Sequence, residues 1–151
     1  GKSGMLCCHE AKKRAGVTGK VIGICHSERS TKRMMDLGFC DEVFSADATQ
    51  PVPVMKKIEE LTNGQMADVC INNVNIPDTE MTSILVTKNT GVVYFFSMAT
   101  SFTKAALGAE GVGSDVTMIV GNGYTKGHAE ITLQELRECE ALRKIFTELY
   151  A

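Results

Sequence analysis

The chain opens Gly1-Lys2-Ser3-Gly4 and runs straight into a helical pattern. Glycines ahead of a helix suit a phosphate, because the helix start offers free N–H groups and the positive end of its dipole. Two readings compete. The four residues complete a GxGxxG turn, with Gly1 admitting the backbone to a pyrophosphate and Gly4 admitting close helix packing, or they end a Walker A loop as GKS. A P-loop enzyme needs an acid closing an apolar strand to hold magnesium. The apolar runs here end instead in Asn72-Asn73, Ser97 and Gly121-Asn122. The dinucleotide reading is favoured, with Gly1, Lys2, Ser3 and Gly4 as its phosphate-binding residues.

In that reading the second strand ends beside the adenosine ribose, where NAD-binding proteins commonly place Asp or Glu. The position falls on Cys25 or His26, followed by Ser27, Glu28, Arg29 and Ser30, so the diagnostic acid is missing. Ser27, Arg29 and Lys32 or Arg33 suit a 2′-phosphate, while Glu28 suits a free ribose. The cofactor is therefore NAD or NADP, with His26, Ser27 and Arg29 as contacts. Three later strand ends, Asn72-Asn73-Val74-Asn75, Ser97-Met98-Ala99-Thr100 and Gly121-Asn122-Gly123-Tyr124, offer amides and small neutral groups fit for a carboxamide. Asn73, Val74, Ser97, Met98 and Asn122 are the expected contacts on that side. Asparagines just past strands also serve purely as turn formers.

For proton transfer the two loops facing this site supply Lys104, Lys126 and His128, and a lysine desolvated beside a cofactor loses its charge more readily. Glu110 is the other ionisable group there, whereas His9 lies within a helix and His26 in a turn. No metal set is expected: six cysteines, Cys7, Cys8, Cys25, Cys40, Cys70 and Cys139, show no CxxC spacing.

Elements that would position these groups alternate regularly. Small residues at Gly4, Cys8, Ala11 and Ala15 mark a first helix ended by Gly16 and Gly19. Strands are expected at about residues 20–25, 42–45, 68–74, 91–97 and 116–121. Helices are expected at 30–37, from Pro51 to Asn63-Gly64, and from Pro77-Asp78 through Leu85. Residues 98–114 read as a glycine-punctuated loop. From Ala129 one long helix carries Leu133, Leu136, Leu142, Phe146 and Leu149 on its apolar side. Strand–helix alternation implies a Rossmann-type α/β fold, a parallel sheet with helices on both faces. No strand precedes Gly1, so the sheet's first strand is expected to lie outside this chain, leaving exposed edges that call for a homo-oligomer or a companion segment.

At 151 residues with 44% hydrophobic content, the chain suits one domain, residues 1–151, taken as part of a longer enzyme. A net charge of −2 with scattered basic residues argues against nucleic acid. No apolar run approaches the ~20 residues of a membrane span, and a reducing cytoplasm suits the unpaired cysteines.

The strings KVIGICHSERS, LGFCDEV, DVCINNVNIPDTEM, GVVYFFSMATSFTKAALGAEG and GNGYTKGHAEIT resemble the L-erythro-3,5-diaminohexanoate dehydrogenases of lysine fermentation across essentially the whole chain. LGFCDEV after a strand–turn–helix is shared, more loosely, with medium-chain alcohol dehydrogenases. The resemblance implies oxidative deamination: a small amino-acid substrate loses its 3-amino group, giving 5-amino-3-oxohexanoate, ammonia and reduced cofactor. It carries over no catalytic residues. The alternatives are a medium-chain type alcohol or quinone reductase and a non-catalytic NAD(H)-sensing module.

Overall fold

The computed structural model describes residues 1–121 and 124–151. They form two compact units, one of residues 1–46 and 124–151 and one of residues 47–123. Every strand pairing is parallel, and helices alternate with the strands, as expected for a Rossmann-type α/β protein.

In the first unit, α1 (Lys2–Ala15) ends where Gly16 turns left-handed at φ 64. The apolar IGIC run forms β1 (Ile22–Cys25). A capping box then starts α2 (Glu28–Leu37): the Ser27 hydroxyl accepts from the Ser30 N–H, and Ser30 reaches back to the Ser27 N–H. Gly38 closes α2 in the left-handed conformation, and β2 (Glu42–Ser45) pairs with β1 from Ile22 opposite Glu42 to Cys25 opposite Ser45. Asp41 fixes the entry to β1 by accepting the Val21 N–H at 2.7 Å. Met5, Met34, Phe39 and Leu142 form the core.

The expected long terminal helix is two helices, α6 (His128–Glu138) and α7 (Glu140–Tyr150), broken at an extended Cys139. No glycine or proline signals the break. Arg143 sustains it by donating to the freed carbonyls of Leu136 at 2.8 Å and Arg137 at 2.6 Å. The change of phase buries Leu142 completely and leaves Leu133 half exposed.

In the second unit Pro51 begins α3 (Pro51–Leu61), whose Val54 and Ile58 are buried. There follow β3 (Ala67–Asn72), α4 (Glu80–Leu85), β4 (Thr87–Phe95), α5 (Phe102–Gly111) and β5 (Thr117–Val120). The strands lie in the order β3-β4-β5. Ile84, Val93, Phe95, Ala105 and Ala109 make the core. Helix α5 replaces most of the expected loop over 98–114. A Cβ on its Gly108 would stand 3.1 Å from Met81 Cε, so small residues let α5 approach α4 closely and offset the helix-weakening effect of glycine.

Among the described residues the strands form two ladders, β1-β2 in the first unit and β3-β4-β5 in the second. Strand β3 is an outer strand of its ladder, with Val69 57% and Ile71 42% exposed.

Candidate functional site

In the first unit the residues named for cofactor binding fall at helix starts. Gly1 is the N-cap of α1 and no side chain caps the helix, so its first-turn amides face no competing protein acceptor of that kind. Nothing lies within 4 Å of a Cβ built on Gly1 or Gly4. Crowding by this chain therefore does not require glycine at Gly4, contrary to the close-packing role expected for it. Lys2 lays its Nζ 4.5 Å from the centre of the Tyr150 ring.

Ser27, Arg29, Ser30 and Arg33 line an open pocket of about 320 Å³ together with Leu149 and Tyr150. His26, at the end of β1, is exposed and is not among these lining residues. Lys32 does not line the pocket; its ammonium is bound to Asp36 at 2.8 Å. Arg29 and Arg33 have no carboxylate partner among the described residues.

Two of the proton-transfer candidates lie at the start of α6, Lys126 in the turn before it and His128 as its first residue. His128 Nδ1 lies 2.7 Å from the Thr125 carbonyl, which assigns the proton to Nδ1 in the neutral ring and leaves Nε2 the acceptor. Its ring stacks on Tyr124 at 4.9 Å. Lys126 is exposed on the same turn.

In the second unit the end of β3 is organised by Asn72, a buried residue absent from the expected contacts. Its amide donates to Thr79 Oγ1 at 2.9 Å and Ser83 Oγ at 3.0 Å, and its carbonyl oxygen accepts the Val74 N–H at 2.9 Å. Asn72 thus fixes the Asn73-Val74 turn against α4. After β4, buried Ser97 accepts the Ala99 N–H at 3.1 Å, which leaves Met98 almost wholly exposed. Asn122 lies outside the described residues.

Lys104 departs from expectation. Instead of losing its charge by desolvation, it is exposed and ion-paired with Asp78, whose carboxylate raises the lysine's pKa. Both residues line a cleft of about 370 Å³ with Thr49, Glu80, Met81 and Leu107. No local pattern marks this pair, which joins residues 26 positions apart.

Beside its parallel βα unit the first unit has an uncapped helix start and an arginine pair without a carboxylate partner among the described residues, groups whose chemistry suits an anionic nucleotide. The chain belongs to the zinc-binding dehydrogenase family, whose sequence profile matches residues 4–132. It is 59% identical to the L-erythro-3,5-diaminohexanoate dehydrogenase of Acetoanaerobium sticklandii and 55% identical to that of Fusobacterium nucleatum subsp. nucleatum. Each alignment covers 99% of this chain and 44% of the relative, so the chain spans under half their length. The fold is also that of the D-arabinose dehydrogenase from Sulfolobus solfataricus, with TM-score 0.61 at 18% identity over 92% of this chain and 41% of that one.

The family name implies zinc. Among the described residues the metal-ligating group is His9, Glu135 and Glu138. Lys13 already occupies it, with its ammonium 2.7 Å from Glu135, 2.9 Å from Glu10 and bonded to Glu138, while His9 pairs with the other Glu135 oxygen. These residues fit an internal ion-pair network and not a zinc ion, so no chemical step is derived through zinc. The nicotinamide cofactor does fit the donors present, since uncapped amides and unpaired guanidiniums complement phosphates. No helix among the described residues is long and apolar enough to cross a membrane.

Proposed function

We propose that the chain is the NAD(P)-binding domain, residues 1–151, of a deaminating dehydrogenase acting on L-erythro-3,5-diaminohexanoate. Its products are 5-amino-3-oxohexanoate, ammonia and reduced cofactor. The observation that carries the reading is identity of 59% and 55% to enzymes of that name, extending through every candidate site segment.

In this reading Gly1, Lys2, Ser3 and Gly4 hold the pyrophosphate at the start of α1. His26, Ser27 and Arg29 surround the adenosine ribose, and Asn73, Val74, Ser97, Met98 and Asn122 contact the nicotinamide end. Bound NAD(P)⁺ supplies a hydride acceptor for the carbon that bears the 3-amino group. The amine must first shed its ammonium proton, and the resulting imine must take up water with acid–base help. His128 Nε2 and Lys126 are assigned to these transfers. Lys104, held charged by Asp78, is assigned to charge balance in its cleft, a change from the base expected of it. A cytoplasmic location and a homo-oligomer, or a companion segment along the open β3 edge, complete the proposal.

The test is to supply the whole polypeptide with NAD⁺ or NADP⁺ and L-erythro-3,5-diaminohexanoate, following cofactor reduction and ammonia release together. Equal amounts of both products support the reading. Turnover of simple alcohols or quinones without ammonia, or cofactor binding with no turnover at all, would overturn it.

A further inference from the structure

All six cysteines are free thiols, and four of them, Cys8, Cys25, Cys40 and Cys139, pack against one core, that of Met5, Met34, Phe39 and Leu142. Within this group the Cys8 thiol, on α1, donates a hydrogen bond to the sulfur of Cys40, which follows α2. Strand β1 makes room for that sulfur: a Cβ on Gly23 would stand 3.0 Å from Cys40 Sγ. Cys8 and Cys40 are each half-buried, held by packing but not sealed from solvent.

The contact makes the two thiols unequal. The bond from Cys8 favours the Cys40 thiolate and outweighs the burial and the Asp41 charge that oppose it, with help from the Lys12 ammonium. The same bond, then burial, keeps the proton on Cys8. A thiolate is the nucleophile in disulfide exchange. Cys40 is therefore the sulfur that attacks, and Cys8, already in contact with it, the sulfur that resolves.

We propose that Cys8 and Cys40 are a reversible thiol–disulfide pair that responds to oxidised low-molecular-weight thiols and, when closed, weakens cofactor binding. The Cys40 thiolate attacks one sulfur of a disulfide such as oxidised glutathione, expels one glutathione thiolate and becomes a mixed disulfide. Cys8 then gives up its proton, attacks the Cys40 sulfur and expels the second glutathione. The two protein thiols lose two electrons and two protons, and the small disulfide gains both as two thiols. Closure takes the sulfurs from hydrogen-bonding contact to covalent distance, so α1 must shift against Cys40. Gly1, given above to the pyrophosphate, is the N-cap of the same helix. The effect on cofactor rests on the dehydrogenase reading; the exchange chemistry does not.

The whole polypeptide is equilibrated in glutathione buffers from fully reduced to fully oxidised, quenched with iodoacetamide and mapped by mass spectrometry. The parent should give a cross-linked peptide joining Cys8 to Cys40 that dithiothreitol returns to free thiols. Cys8→Ser should stop with glutathione on Cys40, and Cys40→Ser should give neither product at these positions. In calorimetric titrations with NAD⁺ and NADP⁺, the disulfide form should bind the tighter cofactor at least about tenfold more weakly than the reduced form. Absence of the cross-link at every ratio, glutathione on Cys8 in place of Cys40, or equal cofactor affinity of the two forms overturns the inference and leaves the dehydrogenase reading intact. A reduced parent that binds neither cofactor overturns that reading and the proposed control with it. Should a variant fail to fold, the peptide map and titrations of the parent still decide the question.

Discussion

Glu80, only 3% exposed, accepts the backbone N–H of Ser101 at 2.7 Å and so ties the first turn of α4 to the N-cap of α5. That bond holds the end of the segment after β4, which carries Ser97 and Met98. Glu80→Ala leaves a buried amide without its acceptor and should lower stability by about 1–3 kcal/mol. Glu80→Gln keeps an acceptor oxygen and should recover most of the loss. Urea unfolding of the two variants decides it; equal losses would show that charge, not the bond, is what matters.

The network of Glu10, Lys13, Glu135 and Glu138 links α1 to α6 and makes stability depend on pH at both ends. The Glu135 contact, then Lys13, holds Glu10 at about 2, down from 4.5. Its folded pKa is thus depressed, so its contribution is full above about 4.5 and disappears as pH falls towards 2. Lys13 is shifted upward by Glu135, Glu138 and Glu10, so its contribution persists through neutral pH and is lost only in strong alkali. Melting temperature followed from pH 7 downward should fall in the parent and fall less in Glu10→Gln. Parallel curves would remove Glu10 from the acid response.

Gly121 follows β5 beneath the Tyr94 ring. A Cβ there would come within 2.0 Å of the Tyr94 hydroxyl and 2.4 Å of its ring carbon. Gly121→Ala should displace the ring and cost about 1–3 kcal/mol. In Gly121→Ala with Tyr94→Ala the second change should relieve the first, and a strictly additive double variant would deny the contact.

If His128 and Lys126 move protons, His128→Gln or Lys126→Met in the whole enzyme should reduce turnover by about a hundredfold while leaving cofactor affinity largely unchanged. Lys104→Met should have the smaller effect on turnover. Full activity in the first two variants would place proton transfer elsewhere in the polypeptide.

The alternation of strands and helices was readable because β1, β2 and β5 are short apolar or β-branched runs bounded by turn residues, and β2 lies at the expected positions. Two elements were hidden by composition. The Ala and Gly content of α5 resembles a loop until Met81 is brought against Gly108, and the break at Cys139 depends on Arg143 reaching back to α6. At the candidate site, Ser27, Arg29 and Arg33 were legible as candidates because they lie close together in sequence, in the turn after β1 and in α2; Ser27 as the cap of α2 was not. Tyr150 opposite Arg33, Asp78 on Lys104 and Glu80 on Ser101 join distant positions, and no periodicity encodes them.

The close seating of α5 on α4 has an evolutionary consequence. The cleft that holds Lys104 is bordered by Met81 and Leu107, one side chain from each helix, while the sheet below is packed by Ala105, Ala109, Val93 and Phe95. Exchanges at Met81 and Leu107 would remodel the cleft's shape without opening the hydrophobic layer that stabilises the unit. Met is flexible and tolerates replacement well, so a lineage could reshape the cleft through two positions while the scaffold stays under unchanged selection.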